Sequence, residues 1–113
     1  MIRQRPPHRG PLSAEERPLR SALNQLLSQH GLVHGTLVVR RRVCGKPSCR
    51  CAKGQLHEGL YLVVTEGGKS RQMYVPQRWE AAVRQWIDNY GKARGLMDKL
   101  SGLHWDKIRQ RQD

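Results

Sequence analysis

The spacing of apolar residues changes period along the chain, and each change marks an element. Leu19, Ala22, Leu23, Leu26 and Leu27 recur at i, i+3, i+4, i+7 and i+8, the stripe of an amphipathic helix. Ser13 and Glu16 precede the stripe in the S-x-x-E form of a capping box, which predicts a first helix ending at Gly31. Pro18 falls late for a first turn, so the regular part is expected to start either at the box or at this proline.

The period then drops to two. In VHGTLVVRRRV, residues 33–43, Leu37, Val39 and Val43 alternate with Thr36, Val38, Arg40 and Arg42, predicting a half-exposed strand with a basic open face. LYLVVT (60–65) and SRQMYV (70–75) are two further strands around EGGK, whose paired glycines suit a hairpin turn. Leu60, Leu62 and Val64 share one face, with Met73 and Val75 expected across the ladder, while Tyr61, Val63 and Tyr74 take the other.

After Pro76 a helical period returns. Trp79, Val83, Trp86, Tyr90, Ala93, Met97, Leu100 and His104 follow one another at alternating steps of four and three, a heptad seam within a helix over 77–104. Gly91, Gly95 and Gly102 each weaken that helix by about 1 kcal/mol relative to Ala, and a kink or break near Gly91 is one consistent outcome. The first half of the seam is expected to pack on the sheet. For the second half two readings stand: packing on the first helix, or pairing with another chain, a second copy included, through Tyr90, Met97 and Leu100.

These elements define an α+β fold with an N-terminal helix, a three-stranded antiparallel sheet and a long C-terminal helix. A flexible basic arm is expected over 1–12, one domain over 13–104 and a basic polar tail over 105–113. Only 37% of the 113 residues are hydrophobic and none is Phe, so a single modest core is expected, one that a metal or partner chain would supplement. No apolar run approaches the roughly 18 residues that span a bilayer, and the opening MIRQRPPHRG lacks a secretory core, so a cytoplasmic setting is expected, with nucleoid association as one option within it.

Charge narrows the class of partner. With 21 Lys and Arg against 9 Asp and Glu, the formal net charge is +12, a field that attracts polyanions and above all nucleic acid. A membrane-surface helix fits less well, because the long helix intersperses its cations with Asp and Glu. Arg40 and Arg42, flanked by Lys46, Arg50, Lys53, Lys69 and Arg71 and joined by Tyr61 and Tyr74, are the candidate contacts, since arginines and aromatics together hold phosphates, read guanine edges or stack on bases. The plainer account of the arginines is an edge strand that charge keeps from aggregating.

All three cysteines fall in CGKPSCRCAKGQLH. Cys44, Cys49, Cys51 and His57 form a C-x4-C-x-C-x5-H set, and three thiolates with one imidazole suit a closed tetrahedral Zn²⁺ site. Gly45, Pro47 and Gly54 turn the chain between these positions, and Lys46, Arg50 and Lys53 would offset the net negative charge of the site. His34 or a water is the alternative fourth ligand. A thiol redox sensor is the rival reading, because neighbouring cations favour thiolate. Burial of the cysteines as small hydrophobes is disfavoured by their polar surroundings, and disulfide pairing by their odd number. No triad, carboxylate pair, P-loop or dinucleotide-binding glycine pattern is present, and enzymatic activity is not expected.

The order strand, hairpin, long helix, carried by GTLVVRRR, YLVV and KSRQMYVP, is similar to the arm-binding domains of tyrosine recombinases and to AP2-type DNA binders, which lay a three-stranded sheet in the major groove. Those domains have a short turn where this chain has its cysteine segment. A more specific likeness lies in the motif itself: VHGTLVVRRRVCGKPSCRCAKGQLH, then YLVV and GGKSRQMYVP, resembles a family of short uncharacterised bacterial proteins with a Cys-Gly-Lys-Pro-x-Cys-x-Cys-Ala-x-Gly signature, often encoded in mobile genetic elements. Where that family commonly continues Gly-Pro-Tyr after the histidine, this chain has Glu58, Gly59, Leu60 and Tyr61. The resemblance implies bound zinc and a mobile-element setting and supplies no activity.

The expected function is therefore a zinc-stabilised nucleic-acid-binding module, with DNA ahead of RNA, accessory to a transposase, recombinase or other nucleic-acid machine. An adaptor that docks through its heptad helix on a larger nucleoprotein assembly is the alternative, and the thiol sensor is the second.

Overall fold

A computed structural model describes residues 13–42 and 57–111, with Arg42 described by its backbone alone. The elements are α1 (Glu16–Gln29), β1 (Thr36–Arg42), β2 (His57–Glu66), β3 (Lys69–Val75), a 3-10 turn (Gln77–Trp79) and α2 (Glu80–Arg109). The α+β order expected from the sequence is the order observed. Among the described residues the chain forms two compact units, 31–42 with 57–91 in one and 13–30 with 92–111 in the other.

In the first unit β2 is the central strand, antiparallel to β1 on one side and β3 on the other. Glu66 pairs with Lys69 around Gly67 (φ 57°) and Gly68 (φ 78°), and two successive left-handed residues make this the two-residue turn whose twist matches its strands. The ladder sets Leu37 beside Leu62 and Met73, and Val39 beside Leu60 and Val75, which gives one apolar face as predicted. Val38, Tyr61 and Tyr74 form the matching row on the other face.

β1 begins at Thr36 rather than Val33 because the residues before it bond to α2 instead. The Val33 N–H donates to the Trp86 carbonyl at 3.0 Å, and the His34 ring stacks on Tyr90 with centroids 4.6 Å apart. A Cβ on Gly31 would stand 2.6 Å from the Trp86 indole nitrogen, so only glycine lets this segment approach the helix so closely. The Gly31 carbonyl accepts from Asn89 Nδ2 at 3.1 Å, and Asn89 Oδ1 accepts from Gln85 Nε2 at 3.0 Å. Asn89 is thus buried with its amide partnered at both ends. At Gly35 a Cβ would meet Leu62 Cδ1 at 2.8 Å, a second close approach that excludes a side chain. Val83 is buried, and Leu37 of the apolar face shares a crevice with Arg84 and Ile87 of α2.

The second unit holds α1 and the later turns of α2. Pro18 is the third residue of α1, and the Arg17 N–H just before it donates to the Ser13 carbonyl at 3.1 Å. Leu19, Leu23 and Leu26 are half-buried on α1, with Ala93 and Leu100 buried on α2. Ser13 Oγ accepts the Glu16 N–H at 3.0 Å, as a capping box requires. The Glu16 carboxylate does not complete the box. It is buried and receives Arg20 Nε at 2.7 Å, with Lys107 Nζ at 3.5 Å and His104 Nε2 at 3.6 Å. His104 Nδ1 lies 2.8 Å from the Leu100 carbonyl oxygen.

α2 is unbroken at Gly91, Gly95 and Gly102 and runs to Arg109, so residues 105–109 are helical rather than part of a tail. No proline follows Gly102, and Lys107 and Arg109 in the last turn oppose the negative end of the helix dipole.

Two outcomes follow from these contacts. Asn89→Ala removes the bond to the Gly31 carbonyl and is expected to cost about 0.5–1.5 kcal/mol in urea unfolding, whereas an unchanged midpoint would remove the clamp from the account. The Arg20 hydrogen bond, with the charges of Lys107, Arg20 and His104, outweighs burial and holds the Glu16 carboxyl below its ordinary pKa. Its contribution is complete above the ordinary carboxylate range and is lost as pH falls through the lowered folded value. Glu16→Gln should flatten that acid limb of a stability–pH curve, and an identical limb in the variant would contradict it.

Candidate nucleic-acid interface

Register assigns the predicted contact residues to faces. Thr36, Val38 and Arg40 share a face with Gly59, Tyr61, Val63, Gln72 and Tyr74, and the Arg42–His57 pair closes the same face at the end of the ladder. Lys69 and Arg71 do not join them. They lie in step with Met73 and Val75 on the apolar face, as parity along β3 demands.

The two faces differ in how their cations are neutralised. On the apolar face Arg41 Nε meets Glu58 Oε1 at 2.9 Å, Arg71 Nη2 meets Glu66 Oε2 at 3.0 Å, and Lys69 stands opposite Glu66. The strand positions of the Arg40 face contain no Asp or Glu, and among the described residues no carboxylate pairs with Arg40. At its strand positions the apolar face thus carries three cations against two carboxylates, whereas the Tyr61–Tyr74 face carries Arg40 and Arg42 against none.

The two tyrosines of that face are not equivalent. Both were expected on an open surface, yet Tyr61 is buried, with its ring over Gly59, where a Cβ would come within 3.0 Å of Cε2. Tyr74 is 56% exposed and meets Tyr61 edge to face, with centroids 5.8 Å apart and planes at 67°. His57, Glu58, Gly59 and the two tyrosines line a hollow of about 340 Å³.

Cys44, Cys49, Cys51, Lys46, Arg50 and Lys53 lie outside the described residues. His57 is the first residue of β2 and pairs with Arg42, the last residue of β1, so the cysteine segment connects two strand ends that are ladder partners. His34 lies before the other end of β1, stacked on Tyr90. Of the residues considered for partner binding, Leu100 is buried and Tyr90 is half-buried under its stack, while Met97 keeps half its surface exposed. Sequence periodicity passed over Asn89 because it is an isolated polar residue beside the seam. It also passed over Trp105 and Ile108, which are 62% and 57% exposed on the helical extension to Arg109.

The fold and this face define a small α+β module with a two-sided three-stranded sheet, one side apolar and one basic and aromatic. Residues 12–85 match a domain of unknown function (DUF6788), and the chain belongs to that family. No curated protein and no solved structure matched it. Among the described residues no helix is long and apolar enough to cross a membrane.

Proposed function

We propose that this chain is a zinc-stabilised nucleic-acid-binding module, with DNA its favoured ligand, working as an accessory to a transposase, recombinase or other nucleic-acid machine. The observation that carries this reading is the charge asymmetry of the sheet: arginines on the apolar face are paired with glutamates, whereas the strand positions of the Arg40 face hold no acid and include an exposed tyrosine. If the role of these arginines were only to keep an edge strand from aggregating, pairing them with carboxylates on both faces would serve equally well. Lys46, Arg50 and Lys53 belong to the connection that leaves this face at Arg42 and returns at His57, and would extend its basic area.

The zinc reading gains from where that connection is rooted. Cys44 follows Arg42 by two residues, so chain length alone keeps it within about 7 Å of the strand end that faces His57. His34, before the far end of the seven-residue β1, is about 20 Å of strand away, which favours His57 as fourth ligand. A metal held by Cys44, Cys49, Cys51 and His57 would fasten the connection and fill all four positions, leaving none for a hydrolytic water. The exposed Met97, Trp105 and Ile108 on α2 support the second reading, an adaptor that docks through this helix.

Filter-binding titrations across salt concentrations separate the two. The module should bind DNA by itself with a steep salt dependence, and Arg40→Ala with Arg42→Ala should lower the slope of log K against log salt by roughly 1–2. An oligomeric chain without intrinsic binding favours the adaptor. Elemental analysis should find one zinc per chain, and Cys49→Ser should lose it together with stability on the order of 10 kcal/mol. A metal-free chain that folds normally in chelator would sink the zinc claim.

A further inference from the structure

We infer that the hollow over Gly59 seats an unpaired base of single-stranded DNA on the Tyr74 ring, with the strand's phosphates against the Arg40 row. This rests on the nucleic-acid reading above and adds to it the strandedness of the ligand.

Three features converge on this site. Tyr74 is a flat, half-exposed ring held from behind by the buried Tyr61, whose own position depends on the missing Cβ at residue 59. A platform fixed in this way loses little freedom when a base stacks on it. The hollow, about 340 Å³, lies within the range of small-molecule sites, and its wall includes Glu58, whose carboxylate is paired with Arg41 and can accept from the amino edge of a base. Arg40 stands opposite Gly59, one same-face step of about 6.7 Å along β1 from Val38, the residue that faces Tyr61. A nucleotide stacked on Tyr74 would thus carry its phosphate toward uncompensated positive charge.

The same face is poorly made for reading a duplex. Groove readout needs several long polar side chains converging on base edges. Here the centre of the face is Val38, Tyr61 and Val63, with Arg40, Arg42 and Gln72 only at its margins. Aromatic rings bordered by cations suit unpaired bases, each of which has a stacking face whatever its sequence.

Fluorescence anisotropy of the full chain with a labelled mixed-sequence oligodeoxynucleotide tests this, using its duplex and the matching RNA strand as parallel ligands. The single DNA strand should bind most tightly. Tyr74→Ala should weaken that binding about tenfold and leave duplex affinity within about twofold, while Tyr74→Phe keeps the wild-type value. Because Tyr74 is exposed, circular dichroism should find the variants folded. Equal single-strand binding by Tyr74→Ala, or preference for the duplex or the RNA strand, overturns the inference and leaves the broader reading in place. A wild-type chain that binds none of the three overturns both.

Discussion

β2 is hydrogen-bonded on both edges, and its register therefore decides what each face of the sheet carries. With Tyr61 opposite Val38 and Tyr74, the flanking residues Leu60 and Leu62 join Val39, Val75, Leu37 and Met73 on the apolar side. A slip of one residue would exchange the two sets, placing Tyr61 among the aliphatic residues and Glu58 beside Arg40. The separation of paired from unpaired cations, and with it the functional reading, exists only in this register.

Several independent contacts hold it. The glycine turn at Gly67 and Gly68 fixes β2 against β3, and Gly35 brings the start of β1 onto Leu62 where a side chain would collide. α2 fixes the entry to β1 by other means: the Trp86 carbonyl takes the Val33 N–H, and the Asn89 amide holds Gly31. A buried amide that lost one partner would carry an unmet desolvation cost, so this contact specifies position as well as adding stability. In the helical unit Glu16 has a comparable role, one buried carboxylate gathering Arg20, His104 and Lys107.

Much of the sheet was legible because alternation and turn chemistry are local signals. EGGK located the hairpin, and the apolar positions of LYLVVT and SRQMYV paired as their parity required. The same parity places Lys69 and Arg71 with Met73, away from Arg40, although proximity in the chain had grouped them with the phosphate contacts. Other features depended on tertiary partners and left no periodic trace. Asn89 looks like any polar residue on a helix until Gly31 comes up against it, and Glu16 reads as a capping residue until Arg20, Lys107 and the His104 ring surround it. The difference between Tyr61 and Tyr74 likewise depends on Gly59, whose lack of a side chain matters only once the Tyr61 ring leans over it. The end of α2 was missed because the seam past His104 falls on Lys107, which is not apolar, and charge at the terminus sustains the last turn.

Met73 and Tyr74 are neighbours in sequence, both more than half exposed, and point to opposite faces of one strand. Their side-chain NMR signals, followed while a DNA oligonucleotide is added, test the central claim with the protein as its own control. The account predicts shifts at the Tyr74 ring and the Arg40 guanidinium, with the Met73 methyl and the Arg71 guanidinium unmoved. Shifts at Met73 and Arg71 with Tyr74 and Arg40 unchanged would contradict it.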